Sequence, residues 1–484
     1  MKSLCDLMER VDIVSAAADM DMDICGISYD TRTLAEGELF VAVRGYESDG
    51  HDFIRQAVEK GAVCILSEVK PPINVPYVLV EDSRKALACV SAAWFGYPAE
   101  KLRIVGVTGT NGKTTVSGTV KSIIEKCSGE IAGLIGTNVN KIGQEEFFTS
   151  HTTPESYEIH RLFAAMLERG CKYAIMEVSS HALHLDRVHG IDFEVGVFTN
   201  LTPDHLDFHS SMNDYAAVKA KLFRYCQRAA INVDDEYANI MIDNSDCSVL
   251  TYAVSDVNAD LVGKSIKLHS DRVDFCALTI GCLSRVEYHI PGMFSVYNAL
   301  ASIAATILLG FDFEEVSSQL QTCGGVKGRA EVVPIEDGKT VIIDYAHTPD
   351  ALENIIRTVR GFAKSKVVTL FGCGGDRDRV KRPLMAEVAA TYSDFVIVTS
   401  DNPRTEDPGT IIDEIITGFQ GKKTPYRRID NRREAIFWAL KNLECGDVLI
   451  LAGKGHETYQ IIGKEKTHFD EREVVVEFYR DSRT

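Results

Sequence analysis

The segment at residues 105–115 carries the residue types that bind a phosphate. It reads VGVTGTNGKTT, after a predicted buried strand at 103–107 and before a predicted helix that begins at Lys113. In such a loop the backbone N–H groups face a phosphate, the lysine adds a point charge, and the next hydroxyl can hold Mg²⁺. The sequence departs at one position from the phosphate-loop template G-x-x-x-x-G-K-[ST]. Val107 occupies the position where the template has its first glycine. A generic strand–helix turn is the alternative, but the GKT at 112–114 favours a nucleoside triphosphate site.

Two further predicted strand ends carry possible metal ligands. Glu177 ends a buried run at 172–178, and a carboxylate at the C-terminal end of a parallel strand points toward the ligand crevice. It could complement Thr114 at Mg²⁺, or it could be an ordinary acid at a strand end. His205 and His209 follow a predicted strand at 195–199. They could form a zinc pair, one of them could lie near a second Mg²⁺, or both could be structural; no third zinc ligand with suitable spacing is evident.

Three loops in the C-terminal third also follow predicted strands. They read GGDR at 374–377, DNPR at 401–404 and GKGHE at 453–457. Their arginines, lysine, histidine and glutamate together favour a pocket for a zwitterionic substrate, since an arginine fork matches a carboxylate. In contrast, the amphipathic pattern at 215–223 predicts that Lys219 and Lys221 are solvent-exposed.

The elements that must position these residues fall into three predicted blocks, at 1–100, 101–330 and 331–484. Short apolar runs separated by helical patterns, such as those at 38–43, 62–66 and 77–80, indicate mostly parallel sheets. The segment at 246–288 alternates apolar and polar residues and predicts an antiparallel excursion. The last block repeats the α/β pattern. The fold class is therefore α/β, with a central P-loop-like parallel-sheet domain and a Rossmann-like C-terminal domain.

Composition excludes several classes of protein. The chain has 484 residues, 45% of them hydrophobic, and 52 Lys and Arg against 70 Asp and Glu, a net charge of −18. This excludes a disordered chain, a fibrous repeat and a broad basic nucleic-acid-binding face. The N-terminus lacks the apolar core of a signal peptide, and the longest apolar stretch is too short for a bilayer. We therefore expect a cytoplasmic protein without membrane insertion. The 13 scattered cysteines predict reduced thiols.

Taken as a set, the motifs resemble those of Mur ligases of the MurE type, over essentially the whole chain. They read GTNGKTT at 109–115, MEVSSH at 176–181, TNLTPDH at 199–205, YNA at 297–299 and DYAHTP at 344–349. The resemblance implies the three-domain Mur ligase architecture and ATP-dependent amide formation. ATP phosphorylates the D-glutamyl carboxylate of UDP-MurNAc-L-Ala-D-Glu, and an amine of a diamino acid attacks the acyl phosphate. Such chemistry depends on positioning and on neutralising charge, for which the family uses Mg²⁺.

The resemblance also implies roles for individual residues. The ATP-binding set is Gly109, Thr110, Asn111, Gly112, Lys113, Thr114, Thr115, Asn298, Arg329 and Asp344. The catalytic set is Lys113, Lys219, His205 and Glu177, and the metal ligands are Thr114, Glu177, His205 and, if it is carbamylated, Lys219. The UDP-MurNAc-dipeptide set is Thr31, Thr152, Thr153, Ser179 and Arg187, while Leu185 replaces a glutamine of some relatives. The diaminopimelate set is Arg377, Asp401, Asn402, Pro403, Arg404, Gly453 and Glu457.

The DNPR loop resembles the form associated with meso-diaminopimelate, in which the arginine meets the far carboxylate. L-lysine as the acceptor is one alternative. Another ligase of the superfamily, of the MurF type or a folylpolyglutamate synthetase, is a second, although the DNPR loop and the YDTR at 29–32 argue against it. A third alternative is a binding protein that is switched by a nucleotide. It would have the same phosphate loop, but it would not explain the predicted amino-acid pocket in the block at 331–484. We expect a monomer that binds small-molecule substrates and no nucleic acid.

Overall fold

The computed structural model describes residues 1–45, 48–149, 151–204, 208–335 and 338–481. These residues form two compact units. The first comprises Met1–Leu201, the described residues of His205–Thr251, and Ala304–Phe311. The second comprises Thr202–Asp204, Tyr252–Ile303 and the described residues of Asp312–Thr484. No helix in the described part of the chain has the length and apolar character needed to cross a bilayer.

The N-terminal part of the first unit is a small, mostly parallel sheet with helices. Its elements are β1 (Lys2–Ser3), α1 (Leu4–Met8), β2 (Ile13–Ala17), β3 (Asp23–Ile24), β4 (Gly26–Ser28), β5 (Glu38–Val41), α2 (Ile54–Glu59), β6 (Cys64–Ser67), β7 (Tyr77–Val80) and α3 (Ser83–Trp94). The sheet order is β2-β7-β6-β5-β4, with β2 antiparallel at one edge. Helix α3 begins at Ser83 because the Asp82 carboxylate caps the N–H groups of Arg84 and Lys85.

The second sheet of this unit holds the phosphate loop. Its elements are β8 (Arg103–Thr108), α4 (Lys113–Ser128), β9 (Ala132–Ile135), β10 (Asn140–Ile142), β11 (Glu145–Phe147), α5 (Ser156–Glu168), β12 (Tyr173–Glu177), α6 (Ser180–His184), β13 (Phe193–Phe198), α7 (Met212–Ala220), β14 (Cys226–Asn232) and α8 (Ala238–Asp243). The strand order is β11-β10-β9-β12-β8-β13-β14, and β9, β12, β8, β13 and β14 run parallel. The predicted strands at 103–107, 172–178 and 195–199 are confirmed, and their carboxyl ends meet at one edge.

The predicted antiparallel excursion is confirmed in the next segment. Its elements are β15 (Ser248–Ala253), β16 (Leu261–Leu268), β17 (Val273–Thr279), β18 (Cys282–Tyr288), α9 (Met293–Leu308) and α10 (Phe313–Gln319). Strands β16, β17 and β18 pair antiparallel. Strand β15 differs from the prediction, because it pairs with β16 in parallel through Tyr252 and Ala253.

The C-terminal sheet is a second parallel α/β layer. Its elements are β19 (Glu331–Val333), β20 (Thr340–Asp344), α11 (Pro349–Arg360), β21 (Val367–Phe371), α12 (Lys381–Tyr392), β22 (Phe395–Val398), α13 (Pro408–Ile416), β23 (Tyr426–Arg428), α14 (Arg432–Asn442), β24 (Val448–Ala452), β25 (Tyr459–Ile462), β26 (Glu465–His468) and α15 (Glu471–Asp481). The order is β19-β20-β24-β21-β22-β23, parallel except for β19. Buried side chains such as Ile343, Leu370, Ile397 and Leu451 fill one face of this sheet.

Candidate active site

The phosphate loop joins β8 to α4 through two glycines in left-handed conformations. Gly109 has φ +146° and Gly112 has φ +88°, a region that L side chains adopt only with strain. A Cβ atom on Gly109 would lie 1.9 Å from Thr199 Oγ1. The loop therefore requires glycine at position 109 both for its turn and for the close approach of β13.

The residues after β13 brace the loop from the side. Thr110 N donates to Asn200 O at 2.8 Å, and Asn111 N donates to Asn200 Oδ1 at 3.0 Å. The hydroxyl of Thr199 donates to Asn111 O at 2.7 Å. Thr199 and Asn200 therefore give the loop its shape, a role that the sequence motif at 199–205 does not reveal by itself.

Two lysines converge on one carbonyl of this loop. Lys113 Nζ donates to Gly109 O and to Thr110 O, each at 2.9 Å. Lys219 Nζ, on α7, also donates to Gly109 O at 2.9 Å, and only 1% of Lys219 is exposed. The prediction from periodicity that Lys219 is solvent-exposed is therefore wrong, whereas Lys221 is half-buried. The buried ammonium is stabilised by the carbonyl and by the Tyr215 ring, whose centroid lies 4.6 Å away.

Glu177 gathers three hydrogen bonds at the carboxyl end of β12. Its Oε2 accepts from Thr114 Oγ1 at 3.0 Å and from Thr137 Oγ1 at 2.9 Å. Its Oε1 accepts from Thr137 N at 2.8 Å. A buried carboxylate beside hydroxyls is an all-oxygen donor set, which suits Mg²⁺. Thr137 was not predicted from the sequence. Its position directly after β9, the strand that pairs with β12, is the feature that could have identified it.

Four predicted substrate residues are linked by hydrogen bonds to Glu177, to Thr137 or to one another near the end of β12. Thr137 Oγ1 and Thr152 Oγ1 are hydrogen bonded at 3.1 Å. Thr153 Oγ1 donates to Glu177 O at 2.8 Å and accepts from Ser179 N at 3.0 Å. Arg187 Nη1 donates to Thr153 O at 2.9 Å. The structure thus brings Thr152, Thr153, Ser179 and Arg187 together near the end of β12.

Arg187 is held by an acid that the sequence analysis did not single out. Glu155 Oε2 lies 3.3 Å from Arg187 Nε and 3.4 Å from Arg84 Nη1. All three side chains are only 16% exposed. The Glu155 carboxylate therefore bridges an arginine of α3 and the predicted substrate arginine, in a site where solvent screening is weak.

Thr31 lies apart from these residues, in the N-terminal sheet layer. Its hydroxyl donates to Gln56 Oε1 at 3.0 Å, and its carbonyl accepts from Lys60 Nζ at 2.6 Å. Thr31 is buried, with 7% of its surface exposed. In this structure its hydrogen bonds join it to α2 and the residue that follows that helix.

The two predicted histidines have different outcomes. His205 lies outside the described residues, so its predicted place beside a metal is not described. His209 is buried, and its Nε2 lies 3.0 Å from Ser180 Oγ. Within the described part of the chain, no group of three or more His, Cys, Asp or Glu side chains could hold a metal ion.

The second unit brings two of the predicted C-terminal loops together at their tips. Asn402 Nδ2 donates to Glu457 Oε2 at 2.8 Å, and Gln460 Nε2 donates to Asp401 O at 2.6 Å. Gly453 has φ +110°, and a Cβ atom there would lie 2.8 Å from Asp401 Oδ2. The loops after β22 and β24 therefore form one polar cluster at the carboxyl edge of the sheet.

Arg404 connects this cluster to the loop after β21. Its Nη1 donates to Gly375 O at 2.8 Å, and a Cβ atom on Gly374 would lie 2.8 Å from the same nitrogen. The backbone of Arg404 has φ +52° and is held by β25, since Arg404 N donates to Ile461 O at 3.2 Å. The guanidinium is half-buried and its remaining N–H groups can reach a carboxylate.

Arg377 and Arg382 differ in their surroundings. Arg377 is exposed, and its Nη1 donates to the Asp376 carbonyl at 3.1 Å. Arg382 is fully buried and donates to Glu406 Oε1 at 2.9 Å and to Gly374 O at 3.3 Å. This arginine lowers the pKa of Glu406 to about 2. Arg382, which the sequence analysis did not identify, therefore ties the loop after β21 to the DNPR loop.

Two of the predicted nucleotide residues of the second unit, Arg329 and Asp344, lie at the end of β20. The Asp344 carboxylate accepts from Ala330 N at 2.7 Å and from Ala346 N at 2.8 Å. Burial raises the pKa of Asp344, and the Arg329 guanidinium opposes this rise. Arg329 Cζ lies 5.0 Å from the centroid of the Tyr345 ring. Asn298 is buried on α9.

Three family models match the chain. The model of the Mur ligase family catalytic domain matches residues 23–95, that of the Mur ligase middle domain matches 107–306, and that of the glutamate ligase domain of Mur ligases matches 328–455.

Curated relatives match nearly the full length. The UDP-N-acetylmuramoyl-L-alanyl-D-glutamate–2,6-diaminopimelate ligase of Clostridium tetani is 42% identical over 483 residues, covering 98% of this chain and 99% of the relative. The protein of the same name from Caldanaerobacter subterraneus subsp. tengcongensis is 45% identical, covering 96% of each.

Solved structures are similar over the same length. A structure of a UDP-N-acetylmuramoyl-L-alanyl-D-glutamate–2,6-diaminopimelate ligase superposes with a TM-score of 0.74 at 31% identity, covering 100% of this chain and 99% of the other. The MurF ligase of Thermotoga maritima in complex with ADP has a TM-score of 0.64 at 19% identity, covering 95% and 98%, and shows the fold alone.

Proposed function

The chain belongs to the Mur ligase family, and on that premise we propose that it adds meso-2,6-diaminopimelate to UDP-MurNAc-L-Ala-D-Glu in peptidoglycan precursor synthesis. The D-glutamyl carboxylate attacks the γ-phosphorus of ATP, and ADP leaves. An amine of diaminopimelate then attacks the acyl phosphate, and phosphate departs as the amide forms. The observation that carries this proposal is that the DNPR loop is hydrogen bonded to Gly375 through Arg404 and to Glu457 through Asn402.

In this proposal each predicted block binds one reactant. Residues 1–100 bind the UDP moiety, residues 101–330 bind ATP, and residues 331–484 bind the amino acid. The family models, which match 23–95, 107–306 and 328–455, support this order without fixing the boundaries. Asn298, Arg329 and Asp344 are then nucleotide contacts beyond the phosphate loop.

The phosphate loop orients the transferred group. Gly109, Thr110, Asn111, Gly112 and Thr115 shape the loop and direct its N–H groups to the phosphates. Lys113 leaves the Gly109 and Thr110 carbonyls to contact the terminal phosphates, since both bonds are to neutral oxygens.

Thr114 and Glu177 fit Mg²⁺, and His205 is proposed to hold a second ion. Bound Mg²⁺ would neutralise phosphate charge and orient the leaving group. Lys219 is a metal ligand in this proposal only when it is carbamylated, because an unmodified ammonium repels a cation. As an unmodified ammonium, Lys219 instead holds the Gly109 carbonyl in place by the hydrogen bond that it donates.

The residues around Arg187 position the carboxylate that reacts. Thr152, Thr153 and Ser179 are polar groups beside Glu177, and Arg187 adds a positive charge held in place by Glu155. Holding an anionic substrate next to the transferred phosphoryl group converts a collision into an oriented step. Thr31 belongs to the UDP end of the same substrate, by resemblance to the family.

Arg404 selects the amino acid. The far carboxylate of diaminopimelate pairs with the Arg404 fork, and the distal ammonium pairs with Glu457. Arg377, Asp401, Asn402, Pro403 and Gly453 complete the pocket. L-lysine lacks the far carboxylate, so it would leave Arg404 without a carboxylate partner, at a cost of about 1–3 kcal/mol.

In the same proposal the enzyme acts as a monomer in the cytoplasm on small-molecule substrates, binding no nucleic acid. The supporting observation is the net charge of −18, which disfavours polyanions such as nucleic acids.

The test is ADP release by the purified chain with ATP, Mg²⁺ and UDP-MurNAc-L-Ala-D-Glu. We expect release that depends on meso-diaminopimelate, with a product heavier by one diaminopimelate residue in mass spectrometry, and much slower release with L-lysine. Release that requires L-lysine, a UDP-MurNAc-tripeptide with D-Ala-D-Ala, or a folate with glutamate would instead support one of the alternatives.

A further inference from the structure

Lys454 is a fully buried lysine between the DNPR loop and the loop that follows β24. None of its surface is exposed. Its Nζ donates to Glu457 Oε2 at 3.1 Å and to Asn402 Oδ1 at 3.2 Å, and it lies 3.5 Å from Asp401 Oδ1. A buried ammonium is costly unless it is paired, and here three side-chain oxygens surround it. Lys454 therefore has no surface left with which to contact a substrate.

These bonds fix the orientation of two proposed substrate residues. The Asn402 amide oxygen accepts from Lys454 and from Ile461 N at 3.0 Å, so its Nδ2 must face Glu457. Nδ2 then donates to Glu457 Oε2 at 2.8 Å. Lys454 Nζ and Asn402 Nδ2 thus both donate to the same oxygen, Glu457 Oε2. Within the described residues, no donor is hydrogen bonded to Glu457 Oε1. That oxygen is left for an ammonium group of the ligand.

The charges of the cluster fit one ammonium. Lys454 supplies one positive charge beside the carboxylates of Asp401 and Glu457. The three groups together carry one net negative charge, which one ammonium of a diamino acid neutralises. Without Lys454, the negative charges of Asp401 and Glu457 would lose the ammonium that both contact, in surroundings where charge is poorly screened.

A buried ion pair supports the cluster from beneath. Arg432 and Glu471 are 2.8 Å apart and both have 0% side-chain exposure. Arg432 donates to Ala452 O at 2.8 Å and to Ser400 O at 3.4 Å, so it joins the ends of β24 and β22. The backbone on which Lys454 and Asn402 stand is therefore held independently of Lys454. A change at Lys454 acts on the side chains of the pocket first.

We propose that Lys454 is a positioning residue that sets the affinity for the incoming diamino acid by holding Glu457 and Asn402 in one geometry. This inference rests on the proposed function, because it assigns Glu457 to the substrate ammonium. Lys454 itself does not contact the substrate.

The test is the Lys454→Met variant, which removes the charge and keeps most of the chain length. We expect KM for meso-diaminopimelate to rise about 10- to 100-fold, since two charge-assisted hydrogen bonds are lost. KM for ATP and for UDP-MurNAc-L-Ala-D-Glu should stay within about twofold, because those sites lie in other blocks of the chain. The matched control is Lys466→Met, an exposed lysine on β26 that lies 3.7 Å from the Tyr459 ring; it should leave all three constants unchanged.

A double-mutant cycle separates positioning from a general structural effect. If Lys454 acts through Glu457, its loss should matter little once Glu457 is changed. KM for diaminopimelate in the Lys454→Met/Glu457→Gln double variant should then be less than about threefold above that of Glu457→Gln alone. Additive effects, an unchanged KM for diaminopimelate, or an equal rise for all three substrates would each overturn the inference. Lys454→Gln, which keeps a donor, is the second variant if Lys454→Met does not fold, with a smaller rise expected. Wild-type protein that does not use diaminopimelate overturns the proposed function instead.

Discussion

Thr114 donates its hydroxyl hydrogen to Glu177 across 3.0 Å, although the two residues are 63 positions apart in the chain. The pairing of β12 with β8 produces this contact, because it aligns Glu177 with Val107 just before the phosphate loop. A hydroxyl and a carboxylate thus meet at the opening of α4, where a nucleotide phosphate is expected. Thr137 completes the set from the end of β9.

Glu177→Gln should raise the Mg²⁺ concentration needed for half-maximal ADP release by about tenfold or more. The amide keeps the volume of the side chain but loses the charge, and its NH₂ group faces hydroxyl donors. The measurement is a Mg²⁺ titration of turnover at saturating substrates. Glu168→Gln, at an exposed carboxylate on α5, is the control and should match the wild type. An unchanged Mg²⁺ dependence would exclude Glu177 as a ligand.

Lys113→Ala should reduce ATP-dependent turnover about 100- to 1000-fold, as the loss of one preorganised charge at a transferring group does. Its ammonium is held at the loop by hydrogen bonds to the Gly109 and Thr110 carbonyls. ADP release is measured beside Lys126→Ala, which alters an exposed lysine in the last turn of the same helix. Near-normal ADP production by Lys113→Ala would contradict the assignment of the phosphate loop.

Glu155→Gln should raise KM for the UDP-linked substrate by about tenfold, because Arg187 loses the charged partner that orients its guanidinium. KM for ATP should not change. Steady-state kinetics with each substrate varied in turn provide the measurement, and Glu145→Gln, which breaks an exposed ion pair with Arg169, is the control. Equal KM values in wild type and Glu155→Gln would show that Arg187 is positioned without Glu155.

Arg404→Ala should lower kcat/KM for meso-diaminopimelate by about 10- to 100-fold, while the weak activity with L-lysine changes little. The reason is that only diaminopimelate has a far carboxylate for the guanidinium. The two acceptors are compared in the same ADP-release assay. Arg433→Ala, at an exposed arginine of α14, is the control. If both acceptors lose activity to the same extent, Arg404 is not the selector.

His160 should make the first unit less stable in acid. Burial lowers the pKa of this imidazole to about 4, whereas an unfolded histidine titrates near 6.5. Between these values the unfolded chain binds the proton and the folded chain does not. The free energy of unfolding therefore falls as pH decreases from about 6.5 to 4, by about 3 kcal/mol.

Urea unfolding of wild type and His160→Leu at pH 7, 6 and 5 measures this effect. The free energy of unfolding of the variant should decrease less in acid than that of the wild type. The difference between the two proteins should therefore shift in favour of the variant as pH falls. His468→Gln is a control of opposite sign: Glu473 raises the pKa of exposed His468, so removing this histidine should not lessen the decrease in acid. Parallel pH curves for wild type and His160→Leu would show that His160 does not contribute.

Local sequence patterns predict the parallel strands well, since their apolar runs and the turns that end them are continuous in the chain. The phosphate loop and the DNPR loop are recognisable for the same reason. Burial of Lys219 is not predictable in this way, because the carbonyl that it binds belongs to Gly109, 110 positions earlier. Thr137 and Glu155 likewise have no distinctive local pattern, and only the pairing of strands and the packing of α3 and α5 reveal their contacts. The buried state of Lys454 depends on two loops that meet only in the folded sheet.

The backbone of Arg404 is anchored separately from its side chain. Its N–H donates to Ile461 O, and its carbonyl accepts from Gly463 N at 2.7 Å, so the β25–β26 hairpin holds the loop through backbone atoms alone. The guanidinium, in contrast, donates to Gly375 O in the loop after β21. The side chain at position 404 can therefore change in evolution without loss of the two backbone hydrogen bonds that tie this loop to the hairpin.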